Sequence, residues 1–139
     1  MSTIERVGVS LEKDLLERFD ALISKQGYTN RSEAIRDLIR LRLSEEQLAN
    51  PNIEAAAGVF LVYDHHAAKV ADKLLDLQHG HFLEIIASTH IHLDHHNCLE
   101  VIILKGKVSH IEQLASRMGS LKGVKLSRIA LMTPVGKIA

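Results

Sequence analysis

Several features that define common protein classes are scarce in this chain. It has one cysteine, two prolines and no tryptophan, and a single cysteine excludes an intramolecular disulfide framework. Its 17 Lys and Arg residues balance its 17 Asp and Glu residues, which excludes a strongly basic protein that binds nucleic acid through its net charge alone. No hydrophobic run approaches the roughly 20 residues of a membrane span, and the first residues lack a signal-peptide pattern. We therefore expect a cytoplasmic protein with no membrane partner.

Histidine, by contrast, is plentiful and unevenly distributed. All nine histidines lie between His65 and His110, in a chain of 139 residues of which 46% are hydrophobic. The hydrophobic content is sufficient for a folded core, and the uneven histidines suggest two parts with different functions. Asn50-Pro51-Asn52 interrupts the pattern between them. The sequence predicts two domains, 1–50 and 51–139.

The first domain is predicted to contain one strand and two helices. Arg6–Leu11 alternates between polar and hydrophobic residues, as strands do. Hydrophobic residues then recur at helical spacing as far as Gly27, and Asn30 can cap a second helix. Since a lone strand cannot complete its own ladder, we expect two chains to pair these strands in a two-stranded ribbon.

The exposed face of that ribbon is a candidate DNA-reading surface. A two-stranded β-ribbon fits the major groove, where Arg and Ser side chains can bond base edges. The start of the second helix offers backbone N–H groups to a phosphate. The candidates on the ribbon are Arg6, Gly8 and Ser10, and those at the helix start are Asn30, Arg31 and Ser32.

The second domain is predicted to follow the order βαββαβ, which is the ferredoxin-like pattern. Its first helix is expected to be capped by Asp64, and its second to open with the capping box Ser109–Glu112. The turn Asp94–Asn97 is expected to join two strands as a hairpin. The predicted strands are 57–63, 82–93, 98–104 and 124–131. The fold class is therefore α+β.

The densest group of metal-ligating residues lies around that turn. In a strand, His90-Ile91-His92 puts both imidazoles on one face, and Cys98 begins the strand across the hairpin. Two imidazoles and one thiolate are good ligands for a borderline-to-soft divalent ion. Two surface histidines and a space-filling cysteine are the simpler alternative, but the combination favours metal. A fourth ligand could come from any of the other histidines, His65, His66, His79, His81, His95, His96 and His110.

Enzymatic activity is not expected. No nucleophile-plus-base arrangement stands out, and there is no glycine-rich phosphate loop. The ligand set gives little reason to expect an open catalytic position on a metal.

Two parts of the sequence resemble the nickel-responsive repressors, the NikR family. Arg6–Leu11 with Gly27–Asp37 resembles the family's ribbon-helix-helix half, and His90–Glu100 resembles its metal motif. Gln78-His79 matches the segment that provides the remaining ligand from another subunit. The resemblance extends from about Ile4 to Leu131. It implies an N-terminal ribbon-helix-helix domain followed by an ACT-like βαββαβ regulatory domain.

The resemblance also implies a function and an assembly. It implies a repressor of nickel-uptake genes that binds a palindromic double-stranded DNA operator. The chains would form a homotetramer, a dimer of dimers, with one Ni²⁺ per chain in square-planar geometry. The implied nickel ligands are His90, His92 and Cys98 of one chain and His79 of another.

Further residues receive roles from the same resemblance. Gln78 and Glu100 would orient the nickel ligands, and Glu33 and Asp37 would hold a second cation when DNA is bound. Gly8 stands where relatives can carry a hydroxyl residue, so part of the family's base readout is expected to be missing here.

Two alternative functions can be inferred from the same sequence features. An amino-acid sensor is one, because βαββαβ domains often bind small ligands at their interfaces, but it leaves the His-x-His-x5-Cys motif unexplained. A metal-buffering protein without DNA binding is the other, and it leaves the ribbon-helix-helix segment unexplained.

Overall fold

The computed structural model describes residues 3–67, 69–80 and 84–133. By its backbone contacts the chain divides into two compact units, Met1–Leu41 and Arg42–Ala139. Among the described residues, no helix combines the length and the hydrophobicity needed to cross a membrane.

The first unit contains the two predicted helices. Helix α1 spans Lys13–Lys25, and helix α2 spans Arg31–Leu48, so that its last turns belong to the second unit. Gly27 follows α1 with a φ of +87°, a left-handed conformation that favours glycine. The Asn30 side chain accepts the backbone N–H of Glu33 at 2.9 Å. The predicted helix stop and the predicted cap are both confirmed.

The predicted ribbon strand needs a second chain as its partner and stays a prediction. In the single chain, residues 3–12 form neither helix nor strand, and no described strand lies beside them to complete a ladder. The alternating side chains are nonetheless strongly exposed, at 82% for Val7 and 72% for Val9. Ile4 and Leu11 of the same segment are exposed as well, so it leaves several apolar side chains in contact with water.

The second unit has the predicted order βαββαβ. The elements are β1 (Glu54–Asp64), α3 (Val70–His79), β2 (Glu84–His92), β3 (Asn97–Lys107), α4 (Val108–Gly119) and β4 (Val124–Met132). The four strands form one antiparallel sheet in the order β2-β3-β1-β4. Because residues 81–83 are not described, the start of the predicted strand 82–93 lies outside the described residues.

The core lies on one face of this sheet, beneath the two helices. Alternate residues of β1 are buried, including Val59, Leu61 and Tyr63, and so are Ile102 and Leu104 of β3. Each fully buried side chain of this size contributes about 1.5–3 kcal/mol to folding. The helix residues buried in the same cluster are Val70, Leu74, Val108, Ile111, Leu114 and Met118.

The predicted helix starts in this unit are both wrong. The Asp64 side chain accepts the backbone N–H of His66 at 2.9 Å in a turn, and α3 begins only at Val70. Helix α4 begins directly after β3, before the predicted capping box. Its first N–H groups, those of Val108 and Ser109, are bonded at 3.0 Å to carbonyl groups of the segment before β1. A tertiary contact therefore supplies the acceptors that a local cap was expected to provide.

Candidate metal centre

The hairpin of β2 and β3 positions the candidate ligands. In its register His92 lies opposite Cys98, and His90 lies opposite Glu100. All four residues share the sheet face that carries the core, because Cys98 is buried and successive pairs alternate between faces. The predicted placement of both imidazoles on one face, beside the cysteine, is thus found in the structure.

The turn that closes the hairpin is fixed by Asp94. Its Oδ1 accepts the backbone N–H groups of His96 and Asn97, each at 2.8 Å, and both of its oxygens also accept the Asn97 side-chain amide. The Asn97 amide, followed by the two backbone N–H groups, lowers the pKa of Asp94 to about 2. A charged carboxylate therefore organises this turn.

Three potential ligands of a single chain converge next to this turn. The ligand atoms of His65, His92 and Cys98 all lie within 4.8 Å of one another, and Cys98 Sγ is 3.5 Å from His92 Nδ1. Burial raises the pKa of the Cys98 thiol, and the carboxylates of Asp64 and Asp94 raise it further. The thiol accordingly keeps its proton at neutral pH until a cation displaces it.

His65 is the member of this cluster that the sequence did not single out. It follows β1, whose Tyr63 pairs with Cys98, and its backbone N–H donates to the His96 carbonyl at 3.2 Å. Its Nδ1 is buried and has no hydrogen-bond partner among the described residues. Only the pairing of β1 with β3 brings it here, and no local pattern in the sequence carries that information.

His90 lies beside the cluster and has partners of its own. Its ring centroid is 5.4 Å from that of His92 and 5.8 Å from that of Tyr63, on which it stacks. Its Nε2 is 3.4 Å from the Tyr63 hydroxyl oxygen. The same hydroxyl donates to Glu100 at 3.1 Å, and Ser88 donates to the other Glu100 oxygen at 3.1 Å. Glu100 is therefore tied to His90 through a tyrosine that the sequence did not indicate.

The remaining histidines lie outside the three-residue cluster. His79 is exposed at the end of α3, next to the buried Gln78. The His66 ring contacts that of His65, with centroids 3.9 Å apart, and its Nε2 is 3.1 Å from the His95 carbonyl oxygen. His81 is outside the described residues. The other three, His95, His96 and His110, lie in the turn and in the first turn of α4.

The donor set fits a borderline divalent cation. Imidazole nitrogen and thiolate sulfur together suit nickel, copper or zinc far better than magnesium or calcium. The unpartnered, buried Nδ1 of His65 is an independent sign, because such an atom is costly unless something binds to it.

The candidate DNA-reading residues of the first unit are exposed. Arg6, Gly8 and Ser10 all face solvent, and a Cβ added at Gly8 would meet no atom within 4 Å. Arg31, by contrast, already has a partner in the same unit: its guanidinium donates to both carboxylate oxygens of Asp20, at 2.8 and 2.7 Å. The pKa of Asp20 is lowered by these bonds.

The candidate second cation site contains a carboxylate that is already bonded. Asp37 accepts the Tyr28 hydroxyl at 2.6 Å on one oxygen and the Arg40 guanidinium at 3.1 Å on the other. The Tyr28 bond, followed by the Arg40 bond, lowers the pKa of Asp37. A cation held by Glu33 and Asp37 would have to compete with both donors.

Comparison with known proteins gives two family matches. Residues 56–132 match the NikR C-terminal nickel-binding domain, and residues 5–46 match the ribbon-helix-helix protein, copG family. Among solved structures, the chain is similar to the ACT domain from the GTP pyrophosphokinase of Chlorobium tepidum. That match covers 56% of this chain and 100% of that chain, with a TM-score of 0.48 and 12% identity.

Curated relatives match nearly the whole chain and carry names that describe a nickel-responsive regulator. The protein from Pyrococcus furiosus is 49% identical over 130 residues, which cover 94% of each chain. The one from Trichlorobacter lovleyi is 47% identical over 131 residues, also 94% of each. The one from Thermococcus kodakarensis is 48% identical over 134 residues, 96% of each.

Proposed function

Because this chain belongs to the family of nickel-responsive regulators, we propose that it is a nickel-dependent repressor that binds a palindromic operator in double-stranded DNA. The family consists of regulators, and the chain is not an enzyme. One observation carries the proposal: a chain whose N-terminal part matches a ribbon-helix-helix protein also holds two imidazoles and a thiol on one face of its β2–β3 hairpin. Binding to a chromosomal operator implies that it acts in the cytoplasm.

We assign the nickel ligands to His90, His92 and Cys98 of one chain and His79 of a second copy. The hairpin register supports the first three, and the exposure of His79 at a helix end supports a ligand offered to a neighbour. This set gives one nickel ion per chain. The ion supplies a link between two chains, and the protein's part is to hold the donor atoms ready and to release the thiol proton.

Self-association into a tetramer is supported by apolar surface in both units. The sheet face opposite the helices carries Phe60, Ile103, Leu126 and Met132, the last two more than 60% exposed. The alternating N-terminal segment exposes Val7 and Val9 in addition. Exposed patches of this kind mark interaction surfaces. We propose that second copies cover both, as a strand ribbon in the first unit and as a core of regulatory domains in the second.

Nickel held by these ligands would stabilise the tetramer shapes in which the first units engage DNA. A ligand shared between chains couples the two sites, and a coupling of about 1–3 kcal/mol changes DNA affinity by roughly 5–150-fold. Glu33 and Asp37 are proposed to bind a second cation only in the DNA complex, where a cation can outcompete Tyr28 and Arg40.

A gel-shift titration on the protein's own upstream DNA, with and without nickel, tests this function. We expect binding with nickel and much weaker binding after chelation, at fixed salt. Equal binding in both conditions would contradict nickel control. DNA binding that requires an amino acid would favour the amino-acid sensor. A protein that binds nickel normally but does not bind DNA would favour the metal-buffering protein.

Because His65 shares the cluster with His92 and Cys98, its contribution must be separated from that of His90. With the assigned set, His90→Ala should lower nickel affinity by more than about 100-fold, since even outer partners of a metal ligand are worth 10–100-fold. His65→Ala should lower it by less than about 10-fold and keep the thiolate-to-nickel absorption band. Nickel titration followed by absorbance measures both. The reverse order of effects would place His65, not His90, in the set.

A further inference from the structure

Tyr63 is a buried residue that contacts the candidate ligand His90 and has no assigned role. It is 1% exposed, and its ring stacks on that of His90 with an interplanar angle of 23°. Its hydroxyl oxygen lies 3.1 Å from Glu100 Oε2 and 3.4 Å from His90 Nε2. One phenol thus bridges a carboxylate and an imidazole.

The direction of these two hydrogen bonds follows from counting protons. A phenol has one proton to donate, and a carboxylate can only accept. A tyrosine hydroxyl carries its proton at neutral pH, so it is the donor toward Glu100, whose oxygen lies 3.1 Å away. Glu100 is held in place from the other side by Ser88. The proton of Tyr63 therefore goes to Glu100, and its oxygen is left to accept a proton from His90.

We propose that Tyr63 is a positioning residue that fixes neutral His90 as the Nε2–H tautomer, so that Nδ1 is the nitrogen left to bind nickel. A neutral imidazole carries one N–H and one lone pair, and the hydrogen bond made by one nitrogen decides which of the two can bind metal. The proposal rests on the assignment of His90 as a nickel ligand.

The register of three neighbouring strands places these four side chains together. Ser88, His90 and His92 alternate along β2, so all three lie on one sheet face. His90 lies opposite Glu100 on β3, and Glu100 lies opposite Leu61, two residues before Tyr63 on β1. The three strands therefore hold Ser88, Glu100, Tyr63 and His90 in one connected chain of hydrogen bonds.

Nitrogen NMR of the histidine rings in the metal-free protein tests the tautomer directly. At a pH where His90 is neutral, we expect one tautomer with the proton on Nε2. Tyr63→Phe keeps the ring but removes the acceptor, so the His90 signals should move toward those of a freely exchanging imidazole. Glu100→Gln allows an amide N–H to donate to the tyrosine oxygen, which frees the phenol to donate to His90, and it should populate the Nδ1–H form. A purely structural role for Tyr63 would leave the tautomer unchanged.

Nickel titration of the full-length protein supplies the second measurement. We expect Tyr63→Phe to lower nickel affinity by about 10–100-fold, the usual effect of losing an outer partner of a ligand. Tyr28→Phe is the matched control, since it removes the other tyrosine hydroxyl, which bonds Asp37 in the first unit, and should change nothing in nickel binding. On nickel addition to the native protein, the Nδ1 signal of His90 should show the large shift of a metal-bound nitrogen.

Three results would overturn the proposal: a proton on Nδ1 of His90 in the native protein, a metal shift at Nε2, or native nickel affinity in Tyr63→Phe. Undiminished affinity in His90→Ala would instead contradict the ligand assignment on which the proposal rests. Circular dichroism of Tyr63→Phe and Glu100→Gln, compared with the native spectrum, separates these results from unfolding.

Discussion

Replacing Cys98 with alanine should reduce nickel affinity by more than about 100-fold. Cys98 is the only cysteine in the chain, and its loss removes a direct ligand, whereas outer partners alone are worth about 10–100-fold. The variant should also lack the thiolate-to-nickel charge-transfer band. Nickel titration by calorimetry and by absorbance measures both. His95→Ala, in the exposed turn, is the control and should bind as the native protein does.

The same titration reports on the proton of Cys98. Because burial and nearby carboxylates raise the pKa of this thiol, nickel binding to the native protein must release its proton at neutral pH. Nickel affinity should therefore fall as the pH is lowered, by about tenfold per pH unit from the thiol alone. Calorimetry in buffers of different ionisation enthalpy counts the proton, and Cys98→Ala should release one fewer. Native affinity in Cys98→Ala, or no proton release by the native protein, would remove the thiolate from the site.

Arg6→Ala should weaken binding to the specific operator by about 1–3 kcal/mol, because arginine can bond a guanine in bidentate fashion in the major groove. The loss should be largest for one base pair per half-site, at which the variant no longer discriminates. Gel shifts on a series of single-base operator variants at fixed salt and saturating nickel measure it. Lys13→Ala removes another exposed cation of the first unit, which lies on α1 with its ammonium nitrogen 3.8 Å from a Glu17 carboxylate oxygen, and serves as the control. An unaltered operator affinity in Arg6→Ala would mean that the ribbon does not read DNA.

Gly8 allows a finer test of the same surface. Since an added Cβ meets no atom within 4 Å, Gly8→Thr should leave the chain's fold and nickel binding intact. If close approach of the backbone to the groove floor matters, threonine should abolish specific binding. If Gly8 only marks a position without readout, threonine should be tolerated and add a preference at a base pair that was previously indifferent.

The ligand hairpin could be predicted because its information is local. Period-2 spacing puts His90 and His92 on one face, and the turn residues bring Cys98 opposite within a few positions. The element order of the second unit followed from periodicity in the same way. His65 could be named only as one of seven possible further ligands, and Tyr63 was not indicated, because their proximity to the hairpin depends on the pairing of β1 with β3 across a helix and a strand.

The mistaken helix starts have the same physical origin. A capping residue satisfies helix N–H groups locally, but those of α4 are satisfied by carbonyls of Pro51 and Ile53, far away in the sequence. The strand predicted over Arg6–Leu11 needs a partner strand from a second chain, so it stays a prediction. Features that need only adjacent residues were therefore predicted well, whereas helix starts whose N–H groups bond distant carbonyls were not.

The acid strength of Asp94 has a consequence for how nickel is lost and regained. The pKa of this carboxylate is about 2 in the folded chain and about 3.9 in the unfolded chain. It therefore stabilises the turn at any pH above about 3.9, and this stabilisation is lost as the pH falls from there toward 2. Because burial raises the pKa of the Cys98 thiol, a metal-bound thiolate takes up its proton at a pH well above the pKa of this carboxylate. Mild acid should therefore expel the metal from a hairpin that stays closed, and neutralisation should restore the site without a refolding step. After the metal is lost, the ligand side chains would stay in place as a preorganised chelator that can bind and release nickel repeatedly.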